Sequence, residues 1–223
     1  MKQKQTVLIM FFLICINLLA QDNNPYQKTF ADYTSYISKK IGVTCKMPEN
    51  FIDLNMYFKL FVIQKSPHCG SFYGPILQSK NKECILMYPS TVENNLELNK
   101  PSDTRNKIYP RTQIIYELEA TYCLLDSFGI HLKDNAKSIE FNKYVTVIGG
   151  DKAREMFNVD SIYFYEIPLD QPYQNKYTYC KGMVLNNPKG AAMIFKWFFS
   201  ENGKKKESEY INQLSKLIWY DDK

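Results

Sequence analysis

Residues 177–199 read YTYCKGMVLNNPKGAAMIFKWFF, and this stretch decides the fold. Tyr177 to Leu185 and Ala191 to Phe199 are two apolar, aromatic-rich runs of strand length. Asn186-Asn187-Pro188-Lys189-Gly190 separates them, a cluster that breaks regular structure and reverses the chain. The pattern predicts a β-hairpin with a five-residue loop. Two adjacent strands joined by a turn must pair antiparallel, because a parallel pair needs a long crossover.

The same logic extends outward. Upstream, Ser161 to Ile167 reads as a strand stopped by Pro168. Before it, Lys143 to Ile148 reads as another, followed by Gly149-Gly150-Asp151 and a short helix through Ala153, Met156 and Phe157. Downstream, Tyr210, Ile211, Leu214, Leu217 and Ile218 form one stripe of a closing helix that runs into Trp219. Lys204-Lys205-Lys206, after Asn202-Gly203, reads as a solvated turn between strand and helix.

Near the other end, Tyr26, Phe30, Tyr33, Ile37 and Ile41 recur at helical spacing, and Gly42 is placed to cap that helix. Val43, Cys45 and Met47 alternate with polar residues up to Pro48, a short strand. Met56 to Ile63 and Cys84 to Tyr88 read as further strands. Thr112 can cap a middle helix with Ile114, Ile115, Leu118, Tyr122 and Leu125 inward and Gly129 beyond its end. Ser90 to Arg111 is polar and poor in anchors, a long loop of the kind that is functional or loosely ordered.

Runs of adjacent strands between helices define an α+β class: a largely antiparallel sheet with three amphipathic helices packed on it, in a single-domain sandwich. The closing strand pair and helix resemble the sandwich of the Mog1/PsbP-like proteins. That likeness is one of fold alone and implies no activity.

The address is written in residues 1–20, MKQKQTVLIMFFLICINLLA. Lys2 and Lys4 precede an apolar run from Val7 to Ile16, and Leu18-Leu19-Ala20 gives way abruptly to polar sequence. This is the layout of a signal peptide cut after Ala20, leaving 21–223 as one exported domain. The run is shorter than the roughly 20 residues a membrane span needs, so no span is expected after cleavage. Ile14 in front of Cys15 argues against a lipidated cysteine there. The leader, on a chain rich in Lys, Asn, Ile and Tyr, resembles exported proteins of Gram-negative envelopes, which implies a periplasmic, cell-surface or secreted location.

Composition excludes several functions. Removing Lys2 and Lys4 from a net charge of +5 leaves about +3, carried almost wholly by lysine. Nucleic acid is therefore not the expected partner. His68 and His131 are the only histidines, and no two cysteines stand in a C-x-x-C spacing. A histidine-rich metal site, a zinc ribbon and a thioredoxin-like motif are all unsupported, and no cofactor is expected. Cys45, Cys69, Cys84, Cys123 and Cys180 remain beyond the leader, to be bridged after export or buried as small hydrophobes.

Four constellations carry chemistry. In KSPHCGSFYGPIL (65–77), His68 stands beside Cys69. A cysteine-dependent hydrolase would use Cys69 as nucleophile and His68 or His131 as base, with Asp134 or Asn135 orienting His131. The flanking Pro67, Gly70, Gly74 and Pro75 favour a turn system with a structural cysteine, without the helix N-terminus that lowers a thiol's pKa. In VTVIGGDKAREMF, Gly149-Gly150 before a helix resembles a phosphate cradle, yet Asp151 at the expected N-cap repels an anion. Glu117 and Glu119 fall on different helix faces, and Asp221-Asp222 sits at the terminus, so paired-carboxylate chemistry is not supported. Tyr163, Tyr165, Tyr173, Tyr177 and Tyr179 crowd two strands and their connection, where ring faces can stack on sugars or anchor a protein. The sequence thus points to an exported binding or structural module for a protein or glycan at the envelope. The hydrolase is its rival.

Overall fold

The computed structural model of the chain describes residues 29–63, 66–90, 145–167, 169, 171–187 and 192–221, with the backbone path alone for 60–71. The signal segment, the 90–111 loop beyond Ser90, the middle helix, Cys123 and His131 lie outside these residues.

Chain order is α1 (Phe30–Ile41), β1 (Val43–Cys45), β2 (Phe51–Asp53), β3 (Lys59–Ile63), β4 (Ser66–Ser79), β5 (Cys84–Pro89) and β6 (Val145–Gly149). Then come α2 (Asp151–Phe157), β7 (Ser161–Ile167), β8 (Tyr179–Asn186), β9 (Met193–Phe199), α3 (Glu201–Lys205), α4 (Glu207–Leu214) and β10 (Ile218–Tyr220). Eight strands form one antiparallel sheet in the order β2-β4-β5-β9-β8-β7-β6, with β3 also paired to β4, and β1 pairs β10 in a second, two-stranded sheet. The class is α+β. Among the described residues no helix is long and apolar enough to cross a membrane.

The two runs pair antiparallel as their sequence predicts, with Leu185 opposite Met193 and Tyr179 opposite Phe199; the strands are Tyr179–Asn186 and Met193–Phe199, and residues 188–191 of the expected five-residue loop region lie outside the described residues. Period-two alternation divides its side chains between two layers. Met183, Leu185, Met193, Phe195, Trp197 and Phe199 turn to a first face, where they meet Tyr33, Ile37 and Ile41 of α1, Phe157 of α2 and Leu214 of α4. Cys180, Val184 and Phe198 turn to a second face with Ile85, Met87, Tyr165 and Ile167. Each large apolar side chain so buried contributes about 1.5–3 kcal/mol.

α1 begins at Thr29, whose hydroxyl accepts from the Asp32 amide, and ends at Gly42 in the left-handed conformation. Four expectations are corrected. Residues 66–77 are not a turn system but most of the long strand β4. It tolerates Gly74-Pro75 because a bulge lies between Tyr73 and Ile76. Gly74 is required there: a Cβ would sit 2.6 Å from the Phe58 nitrogen and the Tyr57 Cα. Of the triple lysine, Lys204 and Lys205 are helical and Lys206 alone lies in the turn between α3 and α4. Ser200 caps α3 by accepting from the Gly203 amide, and Gly203 lets that helix approach the Glu83 carbonyl, which a Cβ would meet at 2.1 Å. The closing helix stops at Leu214, and Ile218–Tyr220 pair instead with Val43–Cys45. The N-cap of α2 is Gly150 rather than Asp151, which is the first helical residue.

Candidate functional site

The second face is read most easily as cross-strand rows. One row runs Val145 (β6), Tyr165 (β7), Gly182 (β8), Lys196 (β9), Met87 (β5) and Ile76 (β4). It is fully buried, with Lys196 only 2% exposed. The Tyr165 ring lies across Gly182, and the Lys196 Nζ donates to the Tyr165 hydroxyl at 2.8 Å. Burial brings the Lys196 amine down to about 7, because an apolar layer disfavours the charged form.

The adjacent row runs Val147 (β6), Tyr163 (β7), Val184 (β8) and Ile194 (β9). Here cover gives out toward the β6 edge. Val184 is buried, Ile194 and Tyr163 are half-buried, and Val147 is 47% exposed. Large aliphatic and aromatic side chains therefore form a continuous strip across four strands, open at one end. Among the described residues the other large exposed apolar side chains, Ile52 and Phe72, lie on β2 and β4, and the Phe72 ring stacks on Phe58.

The five tyrosines singled out from the sequence do not form one platform. Tyr165 and Tyr177 are buried. Tyr177 is built into the fold: its hydroxyl accepts from Gln78 Nε2 at 2.9 Å and donates to the Lys82 carbonyl at 3.2 Å. Tyr173 is half-buried and stacks on Phe198 with centroids 4.4 Å apart. Burial raises the phenol pKa of both Tyr173 and Tyr177. Tyr179 packs against the first face and donates to Glu201 at 3.0 Å, a bond that raises its phenol pKa. Tyr163 alone of the five belongs to the open strip.

Around Tyr179 the first face ends in an ionic cluster. Lys181 and Lys204 each contact both Glu166 and Glu207, which fastens α3 and α4 to β7 and β8. Burial pushes the Glu207 carboxyl up, but the two ammonium partners outweigh it and hold the group below the ordinary carboxylate value.

Cys69 sits on β4, and His68 precedes it in the same extended backbone. The strand offers that thiol no helix N-terminus of its own element. His131 lies outside the described residues, so the pairing of nucleophile and base is not shown. Cys45, Cys84 and Cys180 are free, buried thiols. Burial pushes Cys45 up to about 12 and the other two well above the ordinary thiol value, which leaves all three unreactive. Gly149-Gly150 precedes a helix of only seven residues, too short to focus a dipole on an anion.

Sequence reasoning missed the Tyr165–Gly182–Lys196 row, although two signals were present. Lys196 interrupts the apolar run AMIFKWFF at an inward-facing position, and a glycine inside a strand marks close approach of another group.

Fold and site together define an α+β protein built on an open antiparallel sheet, with helices on one face and an apolar strip at the rim of the other. Set against family models, curated proteins and solved structures, the chain matches none of them.

Proposed function

We propose that this chain is an exported, non-enzymatic binding or structural module, acting in the periplasm, at the cell surface or in the secreted state. Its partner is a protein or glycan of the envelope, held along the strip that ends at Val147. The finer architectural reading, a single-domain sandwich carrying three amphipathic helices, belongs to the same proposal.

One observation carries it: the 47% exposure of Val147, in register with the half-buried Tyr163, on a sheet whose neighbouring row is sealed. An aliphatic side chain left open beside a ring adds apolar area to any surface that docks there. Val147, Val184 and Ile194 have no polar side-chain atoms with which to hold sugar hydroxyls, so the strip favours a protein over a glycan.

The test compares capture by the wild-type chain and by Val147→Asp, using envelope extracts and a glycan array in parallel. Val147 is exposed enough for the charged variant to fold. A partner retained by the wild type and lost by Val147→Asp supports the reading. Equal retention by both, or none by either, refutes it. A hydrolytic activity abolished by Cys69→Ala would establish the rival enzyme instead.

A further inference from the structure

The apolar strip opens where the sheet ends, and the two ends of the sheet are built differently. At the far end β2 has only three residues and closes on Asp53. β3, paired to β4 on the same side, opens on Lys59 and shifts register between Val62 and Ile63. Short length, charge and bulges are devices that keep a sheet edge from pairing with another chain. β6 carries neither charge nor bulge. It runs five residues, Val145–Gly149, without a charged side chain or a proline, and it holds one register against β7 throughout. Among the described residues β7 is its one strand neighbour, and Thr146, Val147 and Gly149 are all exposed. In an antiparallel ladder alternate residues of an edge strand direct their N–H and C=O groups away from the sheet. β6 therefore offers backbone hydrogen bonds and, at Val147, apolar surface along the same line.

We propose that a second copy of this chain covers β6, its own β6 pairing antiparallel across a two-fold axis at Val147. The proposal rests on the reading of the strip as a docking surface and names what docks there. An axis perpendicular to the sheet sets Val147 opposite the partner's Val147, Thr146 opposite the partner's Ile148 and Val145 opposite the partner's Gly149. The row of Ile194, Val184, Tyr163 and Val147 then runs on into the same row of the copy, in reverse order. Any other protein has to bring an apolar residue to that position, whereas the copy supplies one by symmetry. The strand contributes no charge, so β6 does not repel its own copy. The faces match as well: both second faces lie on one side of the joined sheet, with α1, α2 and α4 of each copy on the other. Two five-residue strands make a small contact, at or under the low end of specific interfaces, about 1,200 Å². The dimer is therefore weak and forms with rising concentration.

Sedimentation equilibrium of the purified chain, from about 10 μM to about 1 mM, reads this directly. The wild type should pass from monomer toward dimer across that range. Val147→Asp sets two carboxylates face to face on the axis and should weaken association by about tenfold or more. A chain that stays monomeric at every concentration, or a dimer indifferent to Val147→Asp, overturns the proposal. Val147→Cys gives a second measurement. Opposed Cα atoms of an antiparallel pair lie about 4.5–5.5 Å apart, within disulfide reach. Mild oxidation should then join two copies through the introduced thiols, as identified by peptide mass, while Ile52→Cys, on an edge strand and 43% exposed, should not. Bridging at Ile52→Cys as readily as at Val147→Cys, or at neither, overturns the self-pairing. Failure here is separable from failure of the docking surface. A monomeric chain that captures an envelope protein and loses it on Val147→Asp keeps the surface and discards the copy as its occupant.

Discussion

Replacing Gly182 by alanine tests the packing on which the second face is built. An alanine Cβ at 182 would lie 2.0 Å from the Tyr165 Cζ and 2.4 and 2.5 Å from its two Cε atoms. Carbon atoms in contact prefer about 3.5–4.0 Å, so the ring must move by about 1.5 Å or the strands must part. Neither is easy, since Tyr165 is 3% exposed and bonded to Lys196. Overpacking of this kind costs about 3 kcal/mol. Against it, losing a glycine narrows the unfolded ensemble and returns about 0.5–1 kcal/mol. The net expectation is a loss of about 2 kcal/mol, or roughly 4–8 °C in Tm for a domain of this size. Chemical and thermal unfolding of Gly182→Ala, Tyr165→Leu and the double variant would measure it. With the ring gone, alanine at 182 should become neutral or stabilising, a reversal of sign. If Gly182→Ala costs the same in both backgrounds, the ring is not what excludes a side chain there.

Other outcomes follow from the same contacts. Cys45, Cys84 and Cys180 should resist a thiol-specific reagent at pH 8 in the native protein and react once urea unfolds it; rapid native labelling of any of them contradicts their burial. Tyr33 and Tyr88 have buried hydroxyls without a hydrogen-bond partner, so Tyr33→Phe and Tyr88→Phe should be neutral or stabilising, whereas Tyr177→Phe loses two bonds and should cost roughly 1 kcal/mol in urea unfolding. Glu207→Ala should cost roughly 1.5 kcal/mol by removing the charged acceptor shared by Lys181 and Lys204. Because the folded Glu207 carboxyl lies below its unfolded value, its contribution is present above the ordinary carboxylate range and fades as pH falls through the folded value. Acid titration of wild type and Glu207→Ala should therefore converge, and parallel curves would exclude the cluster as a source of stability.

What was legible in the sequence was local. The helical recurrence of Phe30, Tyr33, Ile37 and Ile41 and the glycine after it define α1, and the apolar runs of strand length in 161–167 and 177–199, set off by Pro168 and by Asn186 to Gly190, define the strands that carry both faces. What escaped was decided by distant partners. Pro67, Gly70, Gly74 and Pro75 speak for turns, yet β4 spans them because β3 and β5 pair with its two ends and a bulge absorbs the misfit. Ile218 and Trp219 continue a helical stripe in sequence, but β1 offers them a strand to pair with. Asn202-Gly203 has the composition of a turn and is helical because only glycine fits against Glu83. The candidate strip was half legible. Tyr163 was noticed for its ring, while Val147 draws notice only once β6 is known to lie at the end of the strand order.

The pairing of β1 with β10 also orders events in time. Val43 to Cys45 find their partner in Ile218 to Tyr220, and Asn158 donates to the Tyr220 carbonyl from the end of α2. A chain emerging amino end first cannot complete this zipper until Ile218 to Tyr220 are out. Until then Tyr33, Ile37 and Ile41 wait without their full cover, so the packing around α1 is completed late.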